Sequence, residues 1–350
     1  MPRRFISLAV LMAASVLISG CSSSKMQNML NDGASNYGDG KTEENYHFKD
    51  SGILLDELID KYSGSYYQPT GTPMTDDEYD NAKKAHGSSP STPDPSAPSS
   101  ENDTGNSSDN SEIPEVSNMT ELLRVFHNAY DNTSEYVEFT AVDGFTFDMS
   151  DGLQTVYTTL QREDPIDVSG VASWTTWNRG NEYYISIYYS FDIDELKQIK
   201  AATTQLVEEA VQKITPDGLS EYEIVCAVND YLCDTVYYPE SEPYEPVTHT
   251  AYGALKNGVA VCEGYACAAK LILNGCGVEC DIQVGECLDG GGHGWNLVKV
   301  DGMWYQLDVT WNDQSNERSD YLLVTDEYMK QSRTWKESDY PVSSKVPYSA

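Results

Sequence analysis

Positive charge is what this 350-residue chain has least of. It carries 22 Lys and Arg against 56 Asp and Glu, a formal charge of −34. That balance repels phosphate backbones and anionic surfaces, and so excludes nucleic acid, anionic membrane surfaces and anionic polymers as partners. Neutral or basic substrates remain, lysine side chains among them, and most of the acidity reads as a solvated surface. Long apolar runs are missing too. Beyond the first twenty residues no segment is long and apolar enough to span a bilayer. There is no internal repeat, and the eight cysteines include no Cys-x-x-Cys pair, so neither a metal nor a cofactor is expected.

What is present begins at the N-terminus. Arg3 and Arg4 precede an apolar run, Phe5 to Ile18, that is too short for a comfortable membrane span. It ends in Leu17-Ile18-Ser19-Gly20-Cys21, which resembles the bacterial lipoprotein cleavage box. The expectation is a signal peptide over 1–20, a lipidated Cys21, and a chain that works outside the cytoplasm with the lipid anchor as its sole membrane contact. Residues 21–115 then read as an acidic, Ser/Pro-rich disordered tether. It carries GSSPSTPDPSAPSSENDTGNSSDNS between Gly87 and Ser111, with 6 basic and 18 acidic residues over 22–115. As a coil it would reach on the order of 50–60 Å. Two segments within it, SGILLDELIDKY and TDDEYDNAKKAH, read as brief nascent helices.

From residue 116 onward there is ample chain for a core. Residues 116–215 read helix, strand, helix, strand, strand, helix, a small α+β domain. Met119–Tyr130 is amphipathic, Glu135–Thr140 alternates, Val171–Trp177 and Tyr183–Phe191 are strand-like, and Ile193–Ile214 is a long helix. A further domain spans 216–350. Its first helix starts at Ser220, with Glu223 completing a capping box. Residues 314–350 show few signals apart from a closing strand near Tyr321–Val324.

Within that last domain three residues stand in telling settings: Cys262 in GVAVCEGYACAAKLILNG, His293 in GGHGWNLVKV and Asp308 in MWYQLDVTWND. A thiol, an imidazole and a carboxylate make a nucleophile, its base and the group that orients the base. Asp301-Gly302 is a strong two-residue hairpin signal. With that loop Val300 faces Met303, and pairing counts outward. His293, Trp295, Gln306 and Asp308 then share one face, with His293 and Asp308 as diagonal neighbours roughly 7–8 Å apart at the backbone. Cys262 opens a stretch rich in Ala, Leu and Ile that stops at Asn274-Gly275. This is a helix with a glycine cap, and the positive end of its dipole favours a thiolate at Cys262. The helix must turn Cys262 toward the strand surface that bears His293. The backbone N–H of Cys262 and side chains of Tyr252, Trp295 or Gln306 are candidate oxyanion donors or site-lining groups.

Residues from about Ser220 to Asp313 resemble the transglutaminase-like superfamily of cysteine enzymes, in its bacterial extracytoplasmic branch. The blocks that carry the likeness are GVAVCEGYA, HGWNLVKVDGMWY and LDVTWND, preceded by the helix EYEIVCAVNDYLCDTVYY. The resemblance implies an α+β fold with a papain-like core, in which a nucleophile helix packs on an antiparallel sheet. It implies Cys262 as nucleophile, His293 as general base and acid, and Asp308 as the orienting residue. The implied activity is cleavage or transfer at protein or peptide amides through a thioester. A peptidase or amidase leads; a transglutaminase cross-linking surface proteins and a non-catalytic binding module are the alternatives. The expected partner is a protein or peptide at the cell surface. Of the remaining cysteines, Cys226 and Cys233 lie roughly 10 Å apart on one helix, too far to bond each other. For these two and for Cys267, Cys276, Cys280 and Cys287, disulfides and reduced thiols both stand open.

Overall fold

A computed structural model describes residues 69–86 and 113–349, apart from 150, 216–217, 240–243, 289 and 316. The signal peptide, Cys21 and most of the tether lie outside the described residues. The chain is a mixed α+β protein with two five-stranded sheets. It divides into two compact units, Gln68–Lys197 and a second containing Gln198–Ala350. The division falls inside the long helix at 193–214 rather than at residue 215.

In the first unit, β1 (Thr70–Pro73), β2 (Glu115–Val116), β3 (Tyr136–Ala141), β4 (Val171–Arg179) and β5 (Glu182–Tyr189) make a sheet in the order β1-β4-β5-β3-β2. The outer strands β1 and β2 run parallel to their neighbours, and the inner pairings are antiparallel. Its main core gathers Phe126 and Tyr130 of one helix (Met119–Asp131) and Leu153 and Val156 of another (Asp151–Glu163) with Phe139, Trp174 and Ile185 of the sheet. The stretch 70–86, expected to be part of the disordered tether, is ordered. β1 pairs with β4, and α1 (Asp76–His86) lays Tyr79 on Trp177 with ring centroids 3.7 Å apart. Local composition does not reveal this order, because the partners lie about a hundred residues further on.

We label the helices that follow α1 in chain order: α2 (Met119–Asp131), α3 (Asp151–Glu163), α4 (Ile193–Ile214), α5 (Glu221–Thr235) and α6 (Cys262–Gly275). The Ser220–Glu223 capping box opens α5. Next come β6 (Cys280–Cys287), β7 (Gly292–Val300), β8 (Met303–Leu307), α7 (Val309–Gln314), β9 (Leu322–Val324), α8 (Asp326–Met329) and β10 (Arg333–Thr334). The second sheet runs β10-β6-β7-β8-β9, antiparallel throughout. One face carries Ile282, Val298, Val300 and Leu307 and packs on α5 and α6 in the largest core. Asn296 of that face donates to the Ala266 carbonyl of α6 at 3.0 Å, and Lys270 donates to the Cys280 carbonyl at 2.8 Å. The other face carries Cys287 and Trp295 and packs on Trp311, Tyr321, Val324 and Met329.

The C-terminal end of α6 differs from the expected glycine cap. Gly275 is still helical, and a Cβ there would stand 2.6 Å from Val211 Cγ2, so its role is close approach to α4. The left-handed residue is Gly277, at φ +85°, and its N–H bonds the Asn274 carbonyl. No two of the seven described cysteines are joined by a disulfide. Burial pushes the Cys226, Cys233, Cys276 and Cys280 thiols up, which leaves them protonated core groups.

Candidate active site

Asp301 and Gly302 both take positive φ, 51° and 78°, as a type I′ turn requires. The register follows: Val300 pairs with Met303 and Asn296 with Leu307. Continued one step, it puts His293, Trp295, Gln306 and Asp308 on one face. Across that face His293 Nε2 lies 2.7 Å from Asp308 Oδ2, and Trp295 Nε1 donates to Gln306 Oε1 at 2.6 Å. Asp308 also caps α7, its Oδ1 accepting from the Trp311 N–H at 3.0 Å. A carboxylate held as a helix cap has little freedom to turn away from the imidazole.

Cys262 is the first residue of α6. The chain enters it from Val261, whose N–H bonds the Thr248 carbonyl at 3.0 Å. Two residues on, a Cβ at Gly264 would stand 2.5 Å from the Thr248 oxygen and 3.0 Å from that of Thr250. Glycine is therefore what lets the helix begin against this turn.

The way Cys262 meets His293 departs from the expectation that the helix faces the surface bearing His293. The body of α6 packs through Ala266 on the Asn296 face, whereas His293 belongs to the Trp295 face. The two meet at the ends of their elements, the first residue of α6 against the second of β7. There the charge of Cys262 acts on the imidazole, which places the sulfur near the ring.

Burial pulls the His293 pKa down, but the charges of Asp308 and Cys262 and the hydrogen bond to Asp308 outweigh it, and the ring stays protonated above its ordinary range. Burial pushes Asp308 up, while His293 and Arg333 hold it lower, at about 2. The arrangement is a protonatable ring between a sulfur and a fixed anion. It can stabilise a thiolate, and it can pass a proton between the sulfur's reaction partner and solvent.

Residues 208–309 match the model of the Transglutaminase-like superfamily. This part of the chain is a transglutaminase-like domain. Solved structures with some likeness include a TGase, 15% identical at a TM-score of 0.29 over 51% of each chain. Others are a candidate cysteine protease from Cytophaga hutchinsonii, 11% identical at 0.27 over 39% of this chain and 60% of that one, and a candidate protease from Parabacteroides distasonis, 11% identical at 0.22 over 48% and 39%. The chain thus spans about half the length of the TGase it resembles. A search of curated proteins finds no match.

Within the transglutaminase-like domain the candidate oxyanion donors are not equivalent. Trp295 gives its only N–H to Gln306 and has no donor to spare, while Gln306 gives one of its two amide hydrogens to Asp326 Oδ1 at 2.7 Å. Trp295 lines the site, stacked beside His293 with centroids 5.7 Å apart. Tyr252 precedes the π-helical turn Gly253–Asn257 and is half-buried. Among the described residues no three His, Cys, Asp or Glu side chains are grouped to hold a metal ion.

Two features of the site carry no local signal in the sequence. Glu263, next to the cysteine, is buried and lies 3.0 Å from His249 Nδ1. Arg333 is fully buried, bonds Asp308 Oδ2 through Nη1, and stacks on Trp311 with its Cζ 4.1 Å from the ring centre. A buried carboxylate beside a histidine signal should prompt a search for a second cation, but nothing local marks Arg333 as that cation.

Proposed function

We propose that this chain is a cysteine enzyme acting on protein or peptide amides. The observation that supports the reading is the 2.7 Å contact of His293 Nε2 with Asp308 Oδ2 beside Cys262, whose charge acts on the ring, with all three residues 0% exposed. The Cys262 sulfur attacks the amide carbonyl, and the N–H of Cys262 at the helix start is the first donor to the oxyanion. The C–N bond breaks as His293 delivers its proton to the leaving amine, and a thioester remains on Cys262. His293 then takes a proton from the incoming nucleophile, which releases the acyl group and restores the thiol. Asp308 keeps the ring oriented and its charge compensated throughout.

Water as that nucleophile makes the enzyme a peptidase or amidase, and this is the leading assignment because water needs no acceptor site. One observation favours a second reading, transamidation to a primary amine. Trp295 and Trp311 flank His293, each with centroids 5.7 Å from it, and a dry site lets an amine compete with water. The lipid-box sequence at Cys21 supports a location outside the cytoplasm, anchored at the membrane, where surface proteins and peptides would be the substrates. Incubation with a glutamine-bearing protein and a fluorescent primary amine separates the two chemistries. New peptide termini without label are expected; covalent label reverses the ranking. Either activity persisting in Cys262→Ala overturns the mechanism.

A further inference from the structure

Arg333 sits on the two-residue strand β10, directly across from Cys287 of β6. It is 0% exposed. Its guanidinium lies over three rings, with Cζ at 4.1 Å from Trp311, 5.0 Å from Trp295 and 5.5 Å from Tyr321. Nε bonds Ser332 Oγ at 3.3 Å, Nη1 bonds Asp308 Oδ2, and Nη2 has no hydrogen-bond partner among the described residues. A buried ion pair is commonly no more stabilising than apolar side chains of the same volume. A pocket walled by three aromatic rings would accept such a replacement, so the cation calls for a reason other than packing.

That reason lies in the oxygen it chooses. Oδ2 of Asp308 is the same atom that meets His293 Nε2. The carboxylate thus has three donors: His293 and Arg333 on Oδ2, and the Trp311 N–H on Oδ1. Together they fix the plane of the carboxylate and share out its charge. We infer that Arg333 is a positioning residue that acts through Asp308 to set the proton balance of the Cys262–His293 pair. This rests on the function proposed above. An isolated buried aspartate would hold the imidazolium tightly, and a tightly held proton is slow to reach a leaving amine. The guanidinium offsets part of that hold and keeps the carboxylate ionised. The same rings that flank the imidazole, Trp295 and Trp311, hold the guanidinium flat. The other titratable groups facing these residues are Cys262 on α6, Cys287 on β6, and Tyr321 and Tyr328 beside the guanidinium.

The test reads His293 itself. The chain has five histidines, so ring-labelled protein gives a resolvable titration by NMR, with His293→Asn assigning the signal. In Arg333→Gln the His293 midpoint should rise by about one pH unit, the scale of one nearby charge. In Arg333→Lys it should stay near wild type, while alkylation of Cys262 by iodoacetamide slows because the fork geometry is lost. An unchanged midpoint in folded Arg333→Gln overturns the inference. If that variant does not fold, Arg333→Lys decides: a midpoint that rises there, with the charge retained, overturns it equally. Amide turnover by the wild-type protein that Cys262→Ala abolishes is a separate readout. Its absence defeats the enzymatic reading, whereas its presence beside an immobile midpoint defeats only the role of Arg333.

Discussion

Trp295 Nε1 donates to Gln306 Oε1 at 2.6 Å, one diagonal further along β7 and β8 than the contact between His293 and Asp308. Gln306 passes the connection to Asp326 at the start of α8, and the Asp326 N–H bonds Ser343 Oγ at 2.8 Å. The series ties the hairpin to the C-terminal segment beneath the candidate triad. In Gln306→Leu the buried indole N–H loses its acceptor and Asp326 Oδ1 loses its donor, while Asp326 Oδ2 keeps the Ser343 N–H. The cost should be about 1–3 kcal/mol for each group left unsatisfied. Urea unfolding should show a lower midpoint at an unchanged slope. A variant as stable as wild type would mean that this bond does not hold the register.

Asp308 links the site to acid stability. Its folded pKa, about 2, lies below the ordinary value of 3.8. A depressed carboxylate contributes stability that is present above the unfolded pKa and lost as pH falls through the folded one. The wild-type protein should therefore lose a component of stability between about pH 4 and pH 2. Asp308→Asn should lack that component, being less stable at neutral pH and flatter toward acid. His293 shifts the other way, so its contribution is full below 6.5 and fades as pH rises through its raised folded value. Activity of Asp308→Asn should fall by on the order of 10³–10⁴-fold if the residue orients the base. A loss below about tenfold would reduce Asp308 to the helix cap it also is.

Much of this site is written locally. Asp301-Gly302 demands a turn with two positive φ values, and once the turn is set, period-two alternation brings His293 and Asp308 to one face with no further information. The same alternation brings Trp295 and Gln306 together, but does not reveal that Trp295 donates to Gln306 while Gln306 donates onward to Asp326. That depends on side-chain torsions and on Asp326, nineteen residues beyond the hairpin. Arg333 was out of reach for a related reason. It lies on a two-residue strand in a stretch without periodicity, and its partner Asp308 is 25 residues away. The sequence suggests the brief helix in TDDEYDNAKKAH but not that 70–86 docks on the sheet, because a polar, charged composition describes how a segment behaves alone. Tyr79 finds Trp177 and Lys83 finds Glu138 at 2.7 Å only through the fold.

Glycines set how closely the elements of the candidate site approach. A Cβ at Gly285 would stand 2.2 Å from the Thr334 carbonyl oxygen and 2.9 Å from the Trp295 ring. Gly285 is also the direct cross-strand partner of His293. Gly285→Ala must push β10 outward, and Arg333 is the neighbour of Thr334. The expected result is a loss of about 1–3 kcal/mol from overpacking, with the titration of His293 displaced in the direction of Arg333→Gln. Gly277→Ala, at a left-handed position with nothing within 4 Å, should cost about 1 kcal/mol of strain and leave the His293 titration where it is. Equal effects on His293 from both variants would show that β10 does not carry the influence.

The candidate triad is closed to solvent, since Cys262, His293 and Asp308 have no exposed side-chain surface. A substrate amide reaches the sulfur only when the surrounding structure opens, so the rate of modification should depend on the size of the reagent. Cys226 and Cys276 are half-buried and give an internal standard on the same molecule. Iodoacetamide and a bulky maleimide should label Cys226 and Cys276 at a similar ratio of rates. At Cys262 the small reagent should gain over the large one, and Cys262→Ala should remove that component while leaving the other two sites unchanged. Mass spectrometry of the peptides assigns each label. If the size ratio at Cys262 matches that at Cys226, the sulfur is open in solution and no opening step precedes attack.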